Sequence, residues 1–161
     1  MTRAHFWLLA IGFDLYWALA VGLRAEVELP AAAIALLALW ISPAASRGRL
    51  LLVMLTGVLL DTLWLALDLF RFTGSSWLPL WMAALWLTFA CWWRTVLNDL
   101  NLSVRWLVPL GAVSGPFSYL LGERLGAMQL QQSAALVWPL LAGGWALYLP
   151  LTHWLLSKSA R

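Results

Sequence analysis

Apolar residues occur along this chain in six long runs that are separated by short polar stretches. A helix needs about 20 apolar residues to cross the hydrocarbon core of a bilayer, and somewhat fewer when flanking side chains snorkel to the interface. The pattern predicts six transmembrane helices whose short connections make neighbours antiparallel. Their predicted bounds are Phe6–Leu23, Val27–Ile41, Leu50–Phe70, Trp77–Leu97, Trp106–Met128 and Ala134–Leu156.

Composition supports the same class. Of 161 residues, 63% are hydrophobic and 11% are charged, and 13 are tryptophan, which is favoured where lipid tails meet water. Helices are required because lipid cannot hydrogen-bond an open backbone, and the runs lack the alternation of barrel strands. We therefore predict an all-α integral membrane protein, with residues 1–161 forming one transmembrane domain and the first run kept as a helix. No internal repeat stands out.

The basic residues indicate a topology. The formal net charge of +3 is spread over the ends of the apolar runs, so no hydrated basic patch for nucleic acid is predicted. With six crossings both termini lie on one side, and basic residues favour the cytoplasmic side. The count predicts N-in and C-in, with Arg3, Arg47, Arg49, Arg94, Arg105, Lys158 and Arg161 inside, and Arg24, Arg71 and Arg124 outside.

Two aspartates lie in the third apolar run. Asp61 and Asp68 are seven residues apart, within roughly 20° on a helical face that also holds Gly57 and Trp64. Charged groups at this depth are costly and normally face the bundle interior or a wet cavity. Asp61 is a candidate for binding a cation, a proton or a substrate hydroxyl, or it is paired with a neighbouring helix as structural glue. Asp68 can form a helix-surface ion pair with Arg71.

Two further charged residues lie within apolar runs. Asp14 is in the middle of the first run, and if the first and third helices meet, Asp14 and Asp61 can form a pair that shares one proton. Arg94 lies toward the inner end of the fourth run, where it can snorkel or contact an anionic headgroup.

The fifth run contains residues that bend helices and allow close packing. Its Gly115-Pro116 step predicts a kink, because proline removes a backbone donor and crowds the preceding turn. Ser118 and Tyr119 can supply hydroxyls there, with Ser114 nearby. The kinked helix either packs in the bundle or is broken and lines a ligand site. Two small-xxx-small pairs predict close helix approach, namely Gly111 with Gly115 and Gly122 with Gly126.

Other chemistry is not indicated. Cys91 is the one cysteine, so no intramolecular disulfide and no CxxC pair can form. His5 and His153 lie without any metal-binding spacing, and no phosphate-binding glycine loop or catalytic motif is present. The sequence predicts no metal and no cofactor, and its catalytic residues, if any, are unknown; an enzyme is the less favoured class.

Residues 50–128 resemble an uncharacterised family of small bacterial inner-membrane proteins, a domain of unknown function. The landmarks are Leu60-Asp61 in mid-helix, "LPLW" at 78–81, and Gly-Pro-Phe-Ser-Tyr at 115–119. The family often carries an Asn-His pair after "LWLTFA", where this chain has Arg94-Thr95. Because members of the family often neighbour genes for enzymes similar to cyclopropane-fatty-acid synthase, the resemblance implies a lipid-related role in the bacterial inner membrane.

These observations leave three functional hypotheses. The first is a lipid-related or fatty-acyl-related accessory or lipid-binding protein, with membrane lipids as partners. The second is a small transporter or substrate-capturing subunit that uses a polar intramembrane cavity around Asp61. The third is a structural or interaction partner in a membrane complex, or a homo-oligomer built on the glycine pairs of the fifth helix.

Overall fold

A computed structural model describes residues 3–100 and 102–157, and this part of the chain is almost entirely helical. Antiparallel strands β1 and β2 add a minimal sheet to an all-α architecture. The elements in chain order are α1 Arg3–Leu23, a 3-10 helix Arg24–Val27, α2 Glu28–Ile41, α3 Ala44–Ala66, β1 Phe70–Phe72, α4 Leu80–Leu100, α5 Val104–Arg124, β2 Met128–Leu130 and α6 Ala134–Ser157.

Several helical segments of the described chain are long and apolar enough to cross a membrane. They are Ala4–Ile41, which joins α1 to α2, Ala44–Ala66, Leu80–Leu100 and Ala134–Ser157. Helix α5, with two prolines and several glycines and serines, is not among them. Large apolar side chains such as Val113 and Leu147 point outward and are 70% and 76% exposed. Such a surface is typical of a membrane protein, as the sequence predicts.

Helices α1 and α2 fold back on each other. Arg24 adopts a left-handed backbone conformation with φ of 53°, which redirects the chain between them. The Tyr16 hydroxyl donates to the Ala31 carbonyl at 3.0 Å, and these residues lie at similar distances along the chain on either side of Arg24. The two helices therefore form an antiparallel hairpin, and both pack against α4.

Helix α4 lies at the centre of the bundle. It packs against α1, α2 and α3, whereas α6 packs against α5 and α3. In the most apolar stretch of α4, half of the residues are buried inside the protein. In the corresponding stretch of the α1–α2 segment, 11% of the residues are buried. Trp86 and Trp93 of α4 are among the buried side chains of the main core.

Helices α3 and α5 end in the same way. Asp68 after α3 and Gly126 after α5 both have positive φ, 51° and 73°. The amide of the next residue reaches back five positions, Leu69 to the Trp64 carbonyl and Ala127 to the Gly122 carbonyl, at 3.0 and 2.8 Å. These are Schellman caps, which close a helix and turn the chain away from its axis. We call the end of the bundle that carries them, together with β1 and β2, the strand end.

The two capped helices begin matched units, α3–β1–α4 and α5–β2–α6. In the two paired strands Arg71 lies opposite Gln129, with Phe70 opposite Leu130 and Phe72 opposite Met128 on either side. Arg71 and Gln129 each lie three residues after the left-handed residue of their cap. The structure thus reveals a correspondence between two halves that the sequence analysis does not find, since the matched positions carry different side chains.

The predicted bounds of the third and fifth helices are wrong. The third helix begins at Ala44 and ends at Ala66, so the "SRGR" stretch is helical and Asp68 lies beyond the helix. The fifth helix ends at Arg124 and not at Met128, which is in β2. In both cases the capping residue ends the helix before the apolar run does, because the strands that follow are apolar as well.

Candidate functional site

Asp61 lies at the junction of α3, α4 and α5. Its side chain is fully buried, with 0% exposure. Its Oδ2 atom accepts from the indole Nε1 of Trp86 at 2.7 Å, and its Oδ1 atom accepts from the Tyr119 hydroxyl at 2.5 Å. Both carboxylate oxygens therefore have donors from other helices. We call these three residues the Asp61 cluster.

Glycines make room for the tryptophans around this cluster. A methyl group on Gly57 would lie 2.3 Å from Cε3 of Trp86, and one on Gly115 would lie 2.0 Å from Cγ of Trp145. The two indoles stack on each other with ring centroids 5.3 Å apart. Each unit of the fold thus uses a glycine of its first helix to seat a tryptophan of its second helix. This arrangement leaves no space for larger side chains on that side of the bundle.

A cavity of about 280 Å³ lies beside the Asp61 cluster, between α1, α4 and α5. Trp86 and Tyr119 form part of its wall, and Asp61 itself lies behind them. Half of the lining residues are aromatic, and the rest are mostly small or apolar. The full lining is Phe13, Asp14, Trp17, Val21, Phe72, Trp81, Met82, Leu85, Trp86, Phe89, Trp92, Ser114, Ser118, Tyr119, Gly122, Ala127, Met128 and Trp145.

Few polar groups face this cavity. Asp14 is exposed and is the one charged residue of the lining. The Ser118 hydroxyl donates to the Ser114 carbonyl at 2.9 Å, as serines in helices often do. The indole Nε1 of Trp145 is buried beside the Tyr119 hydroxyl, yet within the described residues it has no hydrogen bond of acceptable geometry. The cavity is therefore an apolar, aromatic chamber with one carboxylate and one unpaired donor in its wall.

The cavity closes toward the strand end. Gly122 of α5 lies opposite Val21 of α1, and the Arg24 guanidinium donates to the Leu125 carbonyl at 3.0 Å. A second hollow lies beyond this contact and shares Trp81 with the cavity. Its charged lining residues are Arg24, Glu26 and Glu28.

The structure separates the predicted site residues into groups. Asp14, Ser118 and Tyr119 line the cavity, and Asp61 contacts it through Tyr119. Arg94 is half-buried in α4 and is not part of the cavity wall.

Asp68 is at the strand end and forms an exposed ion pair with Arg71 at 2.9 Å. The prediction that Asp68 shares a helical face with Asp61 is wrong, since α3 ends before it and Asp68 adopts a left-handed conformation.

The glycines of α5 also divide. Gly111 and Gly115 contact α6, because a methyl group on Gly111 would lie 2.2 Å from the Trp145 carbonyl oxygen. These two glycines therefore pack against a helix of the same chain, and their surface is not available to a second copy of the protein. Gly122 is buried beside the cavity, whereas Gly126 lies outside α5, so the second predicted small-xxx-small pair is wrong. Helix α5 itself continues without a break through Pro109 and Pro116.

Sequence reasoning missed the tryptophans as side chains of the candidate site. Trp86, Phe89 and Trp93 are three and four residues apart and form an aromatic stripe on α4. Phe89 and Trp93 stack with centroids 5.9 Å apart, and Trp93 donates to the Thr152 hydroxyl at 2.7 Å. The spacing is visible in the sequence, but the high tryptophan content hides it, since interfacial and core tryptophans look the same in one sequence.

No three metal-ligating side chains come together within residues 3–100 and 102–157.

A family model described as a protein of unknown function, DUF2878, matches residues 6–151. The chain belongs to the DUF2878 family. The resemblance found over residues 50–128 is thereby confirmed, and the DUF2878 match extends it to both sides. No curated protein and no solved structure matches the chain.

Proposed function

We propose that this DUF2878 protein binds a small amphipathic molecule with an alkyl chain inside the membrane, as a lipid-related accessory or lipid-binding protein. The observation that carries the proposal is the aromatic cavity between α1, α4 and α5. Ligand pockets are mostly apolar, with a few polar groups that fix orientation, and span about 300–1,000 Å³. At about 280 Å³ the cavity is slightly smaller than that range, which suits one short chain or a small amphiphile.

Binding is favoured over catalysis by the chemistry of the wall. The Ser118 hydroxyl is engaged with a backbone carbonyl, and among the described residues that line the cavity there is no histidine to act as a base. Asp61 has both oxygens occupied by donors, so it is not poised to take a proton from a ligand. We therefore place the functional role in the shape and polarity of the cavity.

A small transporter or substrate-capturing subunit is the second candidate. The matched units α3–β1–α4 and α5–β2–α6 favour it, because many transporters are built from structural repeats with a substrate site at the repeat interface. In this version the ligand contacts the cavity wall and the Asp61 cluster holds the repeats together. Uptake assays on a deletion strain that carries a cavity-filled variant test this role.

The proposed topology is six crossings in the bacterial inner membrane, with both termini in the cytoplasm and α5 kinked at Gly115-Pro116. The α1–α2 hairpin supports separate crossings by α1 and α2. Reporter fusions after Ser75, after Gln131 and after Arg161 test the orientation. Alkaline phosphatase activity at the first two positions and its absence at the last are expected; the reverse pattern contradicts the proposal.

Ligand binding is tested by quenching of tryptophan fluorescence with a brominated fatty alcohol, on full-length protein in nanodiscs. We expect saturable quenching in the native protein and its loss in Ser118→Phe, which fills the cavity. Val113→Phe is the matched control, because Val113 lies on the same helix and is 70% exposed. Equal, unsaturable quenching in all three proteins would mean that the probe reaches tryptophan only from bulk lipid, and would overturn the proposal.

A further inference from the structure

Two polar groups in the cavity wall lack partners. The Asp14 carboxylate lies halfway along α1, and within the described residues no cationic side chain pairs with it. Among the residues that line the cavity none is Lys, Arg or His. The buried indole N–H of Trp145, which lies beside the Tyr119 hydroxyl, likewise has no hydrogen-bond acceptor among the described residues. Charged groups at this depth normally have a counter-charge, so the wall of the cavity is incomplete by itself.

Aromatic side chains line the same cavity as Asp14. Phe13 and Trp17 flank Asp14 on α1, and Phe13 stacks face to face on Trp92 of α4 with centroids 4.5 Å apart. The faces of aromatic rings carry negative potential and attract ammonium groups within about 6 Å, most strongly when water is excluded. A cavity that combines a carboxylate with aromatic rings in its wall offers two features that attract an organic cation.

The Asp61 cluster strengthens this potential from behind. Trp86 and Tyr119 both donate to Asp61 and both line the cavity. Hydrogen bonds from the ring edges to a carboxylate draw the donor protons away and leave the ring systems richer in electrons. These walls therefore favour a positive group more than isolated indole and phenol rings do.

The hollow at the strand end, like the cavity, carries negative charge in its lining. Glu26 and Glu28 line it together with Arg24, whose guanidinium is held by the Leu125 carbonyl. The hollow thus carries a net negative formal charge next to Trp81, which it shares with the cavity. Negative charge near the cavity favours ligands of the opposite sign.

We infer that the ligand of the cavity is an organic cation, an ammonium group on an apolar chain, with the ammonium beside Asp14 and the chain among the aromatic side chains. This inference rests on the proposed function and adds the chemical class of its ligand. The ammonium can belong to a free alkylamine or to the headgroup of an aminolipid. Asp14 and the rings beside it supply the recognition in both cases.

The test compares a brominated alkyltrimethylammonium ion with the brominated fatty alcohol of equal chain length, in phosphatidylglycerol nanodiscs. We expect the ammonium probe to bind more tightly than the alcohol. In Asp14→Asn we expect its affinity to fall about tenfold, as for loss of one charge-assisted contact, with the alcohol unaffected. Asp68→Asn is the matched control, because it removes the same charge at the strand end, where Asn also tolerates the left-handed conformation.

Each outcome has a distinct meaning. If the alcohol binds saturably but the ammonium probe binds no better and ignores Asp14→Asn, the inference about charge fails while the proposed function stands. If Ser118→Phe, which fills the cavity, abolishes the binding of neither probe, the proposed function fails as well. Addition of phosphatidylethanolamine separates the sources: displacement of the ammonium probe assigns the cation to a lipid headgroup, and unchanged binding assigns it to a free amine.

Discussion

Asp61 and Asp14 are two carboxylates in apolar helices, and their surroundings differ in every respect that matters for charge. Asp61 is fully buried between three helices and accepts hydrogen bonds from Trp86 and Tyr119. Asp14 is exposed on the wall of a cavity and has no ion-pair partner within the described residues. The first carboxylate is satisfied by the fold, and the second is available to something outside it.

The packing around the two residues shows the same difference. Around Asp61, glycines bring indole rings against neighbouring helices, and a methyl group at Gly57 would lie within 2.3 Å of Trp86. Around Asp14, the gap between α1 and α5 leaves about 280 Å³ free. A region that is filled by its own side chains serves stability, whereas a region that keeps an aromatic cavity in the same small bundle is the better candidate for binding. Four substitutions test this contrast.

The largest effect is expected for Asp61→Ala. It leaves the Trp86 indole and the Tyr119 hydroxyl buried without an acceptor, at a cost of about 1–3 kcal/mol for each. Thermal unfolding or steric trapping in bicelles measures the loss. Asp61→Asn keeps one acceptor oxygen and should lose less. If Asp61→Ala is as stable as the native protein, Asp61 does not hold the helices together.

A smaller loss is expected for Gly144→Ala on α6. Its methyl group would lie 2.5 Å from Cζ2 of Trp64, and Trp64 packs edge-on against Tyr119 of the Asp61 cluster. Overpacking of this kind costs about 1–3 kcal/mol. The neighbouring Gly143→Ala is the matched control, because nothing lies within 4 Å of its new methyl group. Equal unfolding midpoints for the two variants would contradict the close packing of Trp64 against Gly144.

Tyr119→Phe should cost about 1 kcal/mol, since it removes one of the two hydrogen bonds to Asp61 and keeps the ring contacts. The unfolding free energy of the double variant Tyr119→Phe with Asp61→Ala gives the coupling between them. If the two single losses add without coupling, the hydroxyl does not act through Asp61.

The smallest effect on stability is expected for Asp14→Asn, below about 0.5 kcal/mol, because the exposed carboxylate has no ion-pair partner to lose among the residues that the structure describes. The same unfolding measurement applies, now in the absence of any added amphiphile. A loss as large as that of Asp61→Ala would show that Asp14 is structural, and it would remove the contrast between the two carboxylates.

Several elements were predictable because they follow from local pattern. The α6 bounds predicted from the last apolar run agree to within one residue at its end, and α2 to within one residue at its start. Asp61 lies within α3 as predicted, but it is nearer the end of the helix than its middle, because α3 covers Ala44–Ala66. The ends of α3 and α5 were not predictable, because Schellman caps at Asp68 and Gly126 are followed by apolar strands that continue the hydrophobic run.

The candidate site could be predicted only in part. The sequence pointed to Asp14, Ser118 and Tyr119 as polar groups within apolar helices, and all three line the cavity. Asp68 and Arg94 were also named as candidates, although neither belongs to the cavity wall. The position of a residue along a transmembrane helix can be predicted from one sequence. The neighbours that its side chain meets depend on which helices pack together.

What the sequence determined by itself is the environment and the helical class, since a chain this apolar can satisfy its backbone in lipid only within helices. Tertiary structure decided the rest. It brought Asp61 within reach of Trp86 and Tyr119, 25 and 58 residues away along the chain, and it left Asp14 on an open cavity. It also matched α3–β1–α4 with α5–β2–α6, a correspondence of backbone and packing that unlike side chains conceal. Partners so distant in sequence are chosen by packing, and packing is a property of the whole bundle.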